Sequence, residues 1–351
     1  MHVPFTDEFD VSEAVGSVDA VRILSALFEG MSSATCIVHV QEIFVRQEIS
    51  LFADSLQHLS LCLEEKRWDT VDFAPLTTLS NLGRLEYSHV CRSFRGFVAV
   101  LPQLCSLSKV VLLGTNPVPA ESIARCSALK AVVLSTEPHK HVSLSEILKL
   151  TQLTELTARF RWDCLEDLCS MTRLECLRLH VDPKDDGSLD QALSCMPNLQ
   201  NLEVTFRDLL LTNCKNIIGR PRLSGEVFSH MDRLKSVSLC RVDISKSFFQ
   251  ELASRTGLTK LEFSSYEPRR YPRSFLCQIN LLRNLKELAL YLSPKDTMCN
   301  LLSPEKLPKL RRLNISGNRL HVSAVRREFE RKMHPALINT EKSSWRSRCN
   351  A

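Results

Sequence analysis

Apolar residues recur along this chain on one frame. In the stretch Leu-Pro-Lys-Leu-Arg-Arg-Leu-Asn-Ile-Ser-Gly-Asn-Arg-Leu (307–320), Leu310, Leu313 and Ile315 take the first, fourth and sixth places. Asn318 takes the ninth and Leu320 the eleventh. The same skeleton opens upstream at Leu56, Leu82, Leu107, Leu129, Leu153, Leu174, Leu199, Leu234, Leu258 and Leu285. Its fourth places are Leu59, Leu85, Val110, Val132, Leu156, Leu177, Leu202, Val237, Leu261 and Leu288. Its sixth places are Leu61, Tyr87, Leu112, Leu134, Ala158, Leu179, Val204, Leu239, Phe263 and Leu290. Successive first places lie 21 to 27 residues apart, with one longer step of 35 between Leu199 and Leu234. Spacing this regular marks a repeat array.

The frame has a physical reading. Places four and six of a short strand point to one side, because side chains alternate with period two. One coil cannot bury that face by itself, so the coils must stack and share a core. The segments between strands then form the opposite side. Asp-Ile-Ser-Lys-Ser-Phe-Phe-Gln-Glu-Leu-Ala-Ser-Arg-Thr-Gly (243–257) predicts a helix with Asp243 or Ser245 as N-cap, ending near Gly257. Gly-Ser-Leu-Asp-Gln-Ala-Leu-Ser-Cys-Met-Pro-Asn (187–198) predicts another, with Ser188 as N-cap. Residues 73–85 predict a shorter extended or 3₁₀ crossing.

On these residues the chain resembles the leucine-rich repeat family, in its irregular, ribonuclease-inhibitor-like form. The resemblance implies an α/β fold: a leucine-rich repeat solenoid, or horseshoe, with a parallel concave sheet and helical or 3₁₀ convex segments. It departs from the family at the ninth place, where only Asn318 supplies the expected asparagine. Glu64, Val90 and Thr115 stand there instead in earlier coils, so irregular turns are expected. The organisation is a helical cap over 1–45, about eleven repeats over 46–320 with an insertion at 207–225, and a cap helix and loose tail over 321–351. The N-terminal cap is read from Val11, Val15, Val18, Leu24 and Phe28 at helical spacing, with residues 35–40 as a degenerate extra strand. The C-terminal cap starts at Ser323.

Composition narrows the function. With 44% hydrophobic residues the chain can bury a large core, and 45 basic against 40 acidic residues leave a net charge of only +5. A chain built to coat nucleic acid would carry a larger basic excess. The 14 cysteines occur without a basic-then-apolar leader at the start, so they read as reduced thiols in the cytoplasm, with the nucleus as second choice. No apolar run is long enough to suggest a membrane span. No phosphate-binding glycine loop, nucleophile elbow, His-Glu-x-x-His or Cys-x-x-Cys motif is present, so no catalysis, cofactor, metal or small-molecule substrate is expected. Cys164, Cys169, Cys176 and His180 are close in sequence, but the frame puts the first two on the convex side and the others on the strand, so they do not form a zinc set.

Two surfaces remain. On the concave face, Val111, Leu113 and Val133 make a small apolar patch on adjacent coils. Arg159, Phe160, Arg178, His180, Glu203 and Phe206 add a charged and aromatic centre, a composition common at protein interfaces. The second surface is a basic edge of Arg207, Lys215, Arg220, Arg222, Arg241, Arg269, Arg270 and Arg273, interleaved with Tyr266 and Tyr271. It suits RNA or an acidic partner. The resemblance favours a non-catalytic scaffold that recognises a protein on the concave face. The alternatives are an accessory protein that binds RNA or an acidic partner through the edge, and an adaptor serving a ubiquitin ligase or a GTPase.

Overall fold

The structure is a computed structural model. It describes residues 8–10, 37–40, 56–62, 73–88, 95–113, 120–135, 145–159, 165–181, 188–206, 222–240, 242–245, 247–264, 277–291, 304–316, 327 and 338–339. The chain divides into two units, residues 1–163 and 164–351.

In the first unit the strands are β1 (Glu8–Asp10), β2 (Ile37–Val40), β3 (His58–Cys62), β4 (Arg84–Ser88), β5 (Lys109–Leu113), β6 (Ala131–Ser135) and β7 (Glu155–Arg159). Each pairs in parallel with the next. The return arcs are short: a 3₁₀ turn at Ala74–Thr78, helix α1 (Arg95–Val100) running into a 3₁₀ turn at Leu101–Gln103, helix α2 (Ala120–Ala124) and a 3₁₀ turn at Ile147–Lys149. Pro75 and Pro102 sit in the first turns of their 3₁₀ segments, where the missing N–H costs no hydrogen bond. β2 is the degenerate strand expected within 35–40, and with β1 it carries the parallel pairing into residues assigned to a cap. The helix expected over 11–30 lies outside the described residues.

The second unit holds β8 (Cys176–Val181), β9 (Asn201–Phe206), β10 (Arg222–Leu223), β11 (Ser236–Cys240), β12 (Asp243–Ile244), β13 (Lys260–Ser264), β14 (Glu287–Tyr291), β15 (Arg312–Ser316) and β16 (Ile338–Asn339). β8, β9, β11, β13, β14, β15 and β16 pair in that order, all parallel. β10 and β12 form a separate two-stranded parallel ribbon. The 35-residue step therefore leaves the main register intact, with β11 directly beside β9. Helices α3 (Ser188–Ser194) and α4 (Phe248–Ala253) lie in the arcs, with 3₁₀ turns at Glu166–Ser170, Gly225–His230, Gln278–Leu281 and Pro304–Lys306. Apart from the helical Arg327, the expected C-terminal helix lies outside the described residues.

The register follows the sequence frame without slip. Leu59, Leu85, Val110, Val132 and Leu156 oppose one another across β3 to β7, as do Leu61, Tyr87, Leu112, Leu134 and Ala158. Every residue at the first, fourth and sixth places of the eleven coils is buried, the most exposed being Leu310 at 6%. Burying each leucine contributes about 1.5–3 kcal/mol. The frame also reaches further back than the strand. Three residues before the first place stand buried Leu79, Leu104, Cys126, Leu150, Met171, Met196, Met231, Leu282 and Leu307. Three residues earlier again come Leu76, Leu101, Ile123, Ile147, Leu168, Leu193, Phe228, Leu252 and Ile279, all buried. That i, i+3 spacing is the 3₁₀ period, in which such side chains eclipse on one face. Aromatic clusters fill out each core: Phe73, Tyr87 and Phe97 in the first unit, and Phe228, Phe248, Phe249 and Phe263 in the second.

The second place has its own role. The carbonyl of Gly83 accepts the N–H groups of both Ser108 and Lys109, at 2.9 and 3.0 Å. The carbonyl of Ser108 takes those of Lys130 and Ala131, and that of Lys130 takes those of Thr154 and Glu155. The same fork recurs at Glu175, Gln200, Lys235, Thr259 and Lys286. Side chains reinforce it: Ser108 Oγ donates to the Gly83 carbonyl at 3.0 Å, and Lys235 Nζ to Gln200 Oε1 at 2.7 Å. Within each unit, a coil thus enters its strand already bonded to its predecessor.

Two helix starts differ from expectation. The N-cap of α4 is Ser247, not Asp243 or Ser245. Asp243 belongs to β12, and Ser245 Oγ accepts the Gly225 N–H at 3.1 Å. These non-local partners outcompete local capping. Ser188 is the first residue of α3 itself rather than the residue preceding it.

Candidate interaction face

Odd-numbered places of each strand point away from the core, and the register decides which of them meet. In the first unit the middle row runs Ser60, Glu86, Val111, Val133, Thr157 across β3 to β7. Val111 and Val133 are direct cross-strand partners, as expected from their shared place. Leu113 follows Val111 by two residues and is 40% exposed, whereas Val111 is only 8% exposed. The patch therefore projects through Leu113, with Val133 half-buried beside Val111.

Charged side chains border this patch and pair among themselves. Lys109 Nζ reaches across the intervening strand to Glu155 Oε2 at 2.9 Å, passing the buried Ala131. Arg84 donates from Nε to Glu86 Oε1 at 2.9 Å and also through its second guanidinium nitrogen. His58 Nε2 lies 3.6 Å from the same oxygen. Thr157 is 5% exposed, and its hydroxyl has no hydrogen-bond partner among the described residues. Arg159 closes β7 opposite Ser135, and Phe160 lies outside the described residues.

In the second unit Arg178 and Glu203 are register partners, and Arg178 Nε stands 3.5 Å from Glu203 Oε2 with both side chains about half exposed (51% and 42%). His180 is half-buried opposite Thr205, and Phe206 ends β9 opposite Val181. Thr205, Cys240 and Ser264 also occupy an outward place, yet all three are buried at 8%, 6% and 3%. Pointing away from the core does not make that row solvent-facing. Strand β15 carries a further pair, Arg312 Nη1 to Glu287 Oε1 at 3.0 Å.

Of the basic edge, Arg222 opens β10, opposite Asp243 of β12. Arg207, Lys215, Arg220, Arg241, Arg269, Arg270 and Arg273 lie outside the described residues. Cys169 sits in an arc and Cys176 and His180 on β8, while Cys164 is outside the described residues. Among the described residues no three metal-ligating side chains converge, and no helix is long and apolar enough to cross a membrane.

Away from the strands, a polar knot ties the arcs together. Both carboxylate oxygens of Asp190 in α3 accept the Ser224 N–H, at 3.2 and 3.1 Å. Ser224 Oγ accepts the Glu226 N–H in turn at 3.3 Å. Burial raises the Asp190 carboxyl above the ordinary value of 3.8, the Ser224 N–H opposes that, and the nearby Glu226 charge adds to it. Gly225 is required here: a Cβ would stand 2.9 Å from the Phe248 backbone and 2.8 Å from the Glu251 side chain. None of this knot was visible in the sequence, since its partners are set by how the arcs stack.

Parallel strands in register, short arcs returning behind them, and apolar rows buried at fixed places make this a leucine-rich repeat fold. No family model and no curated protein matches the sequence. Among solved structures, the chain is similar to internalin C2 from Listeria monocytogenes strain 4b F2365, at 15% identity over 69% of this chain and 83% of that one, with a TM-score of 0.36. It is also similar to the plant peptide hormone receptor RGFR1, solved in complex with RGF2, at 15% identity over 81% of this chain and 51% of that one, with a TM-score of 0.42.

Proposed function

We propose that this protein is a non-catalytic interaction scaffold that holds a protein partner against the outward face of its strands. The observation that carries this reading is Leu113. It is 40% exposed beside the Val111–Val133 pair, and Leu281 is the only other large apolar side chain so exposed among the described residues. Contiguous apolar patches rimmed by polar residues mark places where a partner is held, and Leu113 with the half-buried Val133 forms a small one. The first unit presents this group on in-register strands, so a partner meets side chains whose spacing is set by the register before binding. The free thiols, exposed at Cys105 and Cys277, support a reducing compartment, the cytoplasm or the nucleus.

Photo-crosslinking in native lysate tests the face. A benzophenone amino acid replaces Leu113 or Arg178 on the strands, or Gln103 or Gln250 on the arcs, all exposed positions. Discrete protein adducts from the strand positions alone are expected. Adducts from the arc positions alone would overturn the reading.

A further inference from the structure

We infer that Cys169 and Cys195 are a dithiol that closes to a disulfide by exchange with a small disulfide such as oxidised glutathione, clamping helix α3 to the arc before it. Cys169 lies in the 3₁₀ turn Glu166–Ser170, and Cys195 directly follows α3 (Ser188–Ser194). Both are free thiols at partly exposed positions. The two meet at one atom. Cys195 Sγ donates to the Gln191 carbonyl at 3.5 Å, and Cys169 Sγ donates to the same oxygen from the preceding coil at 3.6 Å. A single acceptor therefore holds two sulfurs from neighbouring coils in one small volume. By contrast, Cys105 Sγ donates within its own turn, to the Gln103 carbonyl, and Cys126 is buried.

Closing the bond orphans no acceptor. Ser194 Oγ also donates to the Gln191 oxygen, at 2.7 Å, the shortest of the three contacts. A carbonyl oxygen has two lone pairs, so the hydroxyl keeps it satisfied once both thiol protons have gone. Closure needs the two Cβ atoms about 3.8 Å apart, and Cys195 sits just past the last helical residue, where a chain moves at least cost. In the first step one cysteine thiolate attacks the small disulfide, forms a mixed disulfide and expels one small thiolate. The other cysteine, as thiolate, then attacks the protein sulfur, forms the Cys169–Cys195 bond and expels the second small thiolate. Two protein thiols are oxidised, one small disulfide is reduced to two thiols, and the two protons pass to the departing sulfurs. Holding the second sulfur nearby makes its attack intramolecular, so the mixed disulfide does not accumulate.

Equilibrating the full chain in glutathione buffers of rising oxidised-to-reduced ratio tests this. Wild type, Cys169→Ser and Cys195→Ser are quenched in acid, alkylated and digested with trypsin for mass spectrometry without reduction. Cys164 shares a tryptic peptide with Cys169, so fragmentation assigns the linked sulfur. The expected result is a Cys169–Cys195 crosslink in wild type, reversed by dithiothreitol. Glutathione on either cysteine of wild type should be at least about tenfold scarcer than on the remaining cysteine of each variant. Hydrogen exchange in peptides covering α3 should slow by at least about fivefold in the crosslinked chain. Glutathione on both cysteines of wild type, crosslinks from either to another cysteine, or no disulfide at the most oxidising ratio overturns the pairing. Unchanged exchange in α3 of the crosslinked chain overturns the clamp.

Discussion

Thr154 and Thr157 stand three residues apart in one coil, and the structure assigns their hydroxyls opposite values. Thr154 Oγ1 donates to the Lys130 carbonyl at 3.2 Å from a half-exposed position. Thr157 is 5% exposed and its hydroxyl has no partner among the described residues. Valine has the same shape as threonine and a similar preference for strands. A buried hydroxyl without a partner costs about 1–3 kcal/mol, and a made hydrogen bond contributes about 0.5–1.5 kcal/mol net. Thr157→Val, which sets a methyl group beside Val133 in the register, should therefore stabilise the coil by about 1 kcal/mol. Thr154→Val should destabilise it by about 0.5–1 kcal/mol, near the lower end because the site is half-exposed. Repeat arrays unfold by stages, so a local probe is the appropriate measure. Hydrogen exchange of peptides covering β6 and β7, read by mass spectrometry, should slow by about fivefold in Thr157→Val and quicken in Thr154→Val. If Thr157→Val quickens exchange instead, its hydroxyl is bonded and the reasoning fails.

Three other outcomes follow from the arcs. The carboxyl of Asp190 is raised in the folded chain, so its favourable contribution is present below the ordinary value of 3.8 and is lost as pH rises through the folded value. Asp190→Asn keeps an acceptor for the Ser224 N–H, so it should gain on wild type as pH rises through that window. Paired urea titrations would show a constant difference if burial did not act on this group. Gly225→Ala should destabilise the second unit by about 1–3 kcal/mol, because the Phe248 backbone cannot step aside; an unchanged melting temperature would contradict the packing. The Cys126 thiol is pushed up to about 11 by burial, and its Sγ lies 3.3 Å from the Leu101 and Ser122 carbonyls. In mildly alkaline iodoacetamide Cys105 and Cys277 should be alkylated before Cys126, which stays protected until denaturant is added.

The strand frame was legible because it is periodic and local. Leu85, Val110 and Val132 can be aligned by counting, and the register then follows for every neighbouring residue. The arcs were less legible because their signal is a spacing of three, as in Leu76, Leu79 and Leu82, which a search for helical amphipathicity passes over. Arg255 breaks that row where other coils carry Leu, Met or Cys. Its guanidinium is held by Asp232 and by the Ser229 carbonyl at 3.2 Å, a substitution that no pattern of hydrophobicity anticipates. The N-cap of α4 was misplaced for a related reason: the residues that look like caps are engaged with β10 and Gly225. At the candidate face, counting placed Val111 beside Val133 and Arg178 beside Glu203. It could not show that Lys109 spans two strands to Glu155, or that Val111 is nearly covered while Leu113 is not. Those depend on side-chain reach and on how neighbouring coils crowd each position.

The forked carbonyl at the second place has a consequence for how such a chain can change over time. Within each unit a coil docks on its predecessor through a main-chain acceptor, which every residue type supplies, and through apolar places that recur in the same order. Excising residues 107–128 would join Ser106 to Leu129 and bring Leu85 against Val132 and Tyr87 against Leu134. The Gly83 carbonyl would then face the N–H groups of Lys130 and Ala131. The cut could begin at any place in the frame, provided it removes one whole period. A gene for such a protein can lose or duplicate a coil by unequal crossing-over without designing a new junction. What it alters is the spacing between distant outward side chains, and so the span of the surface it offers.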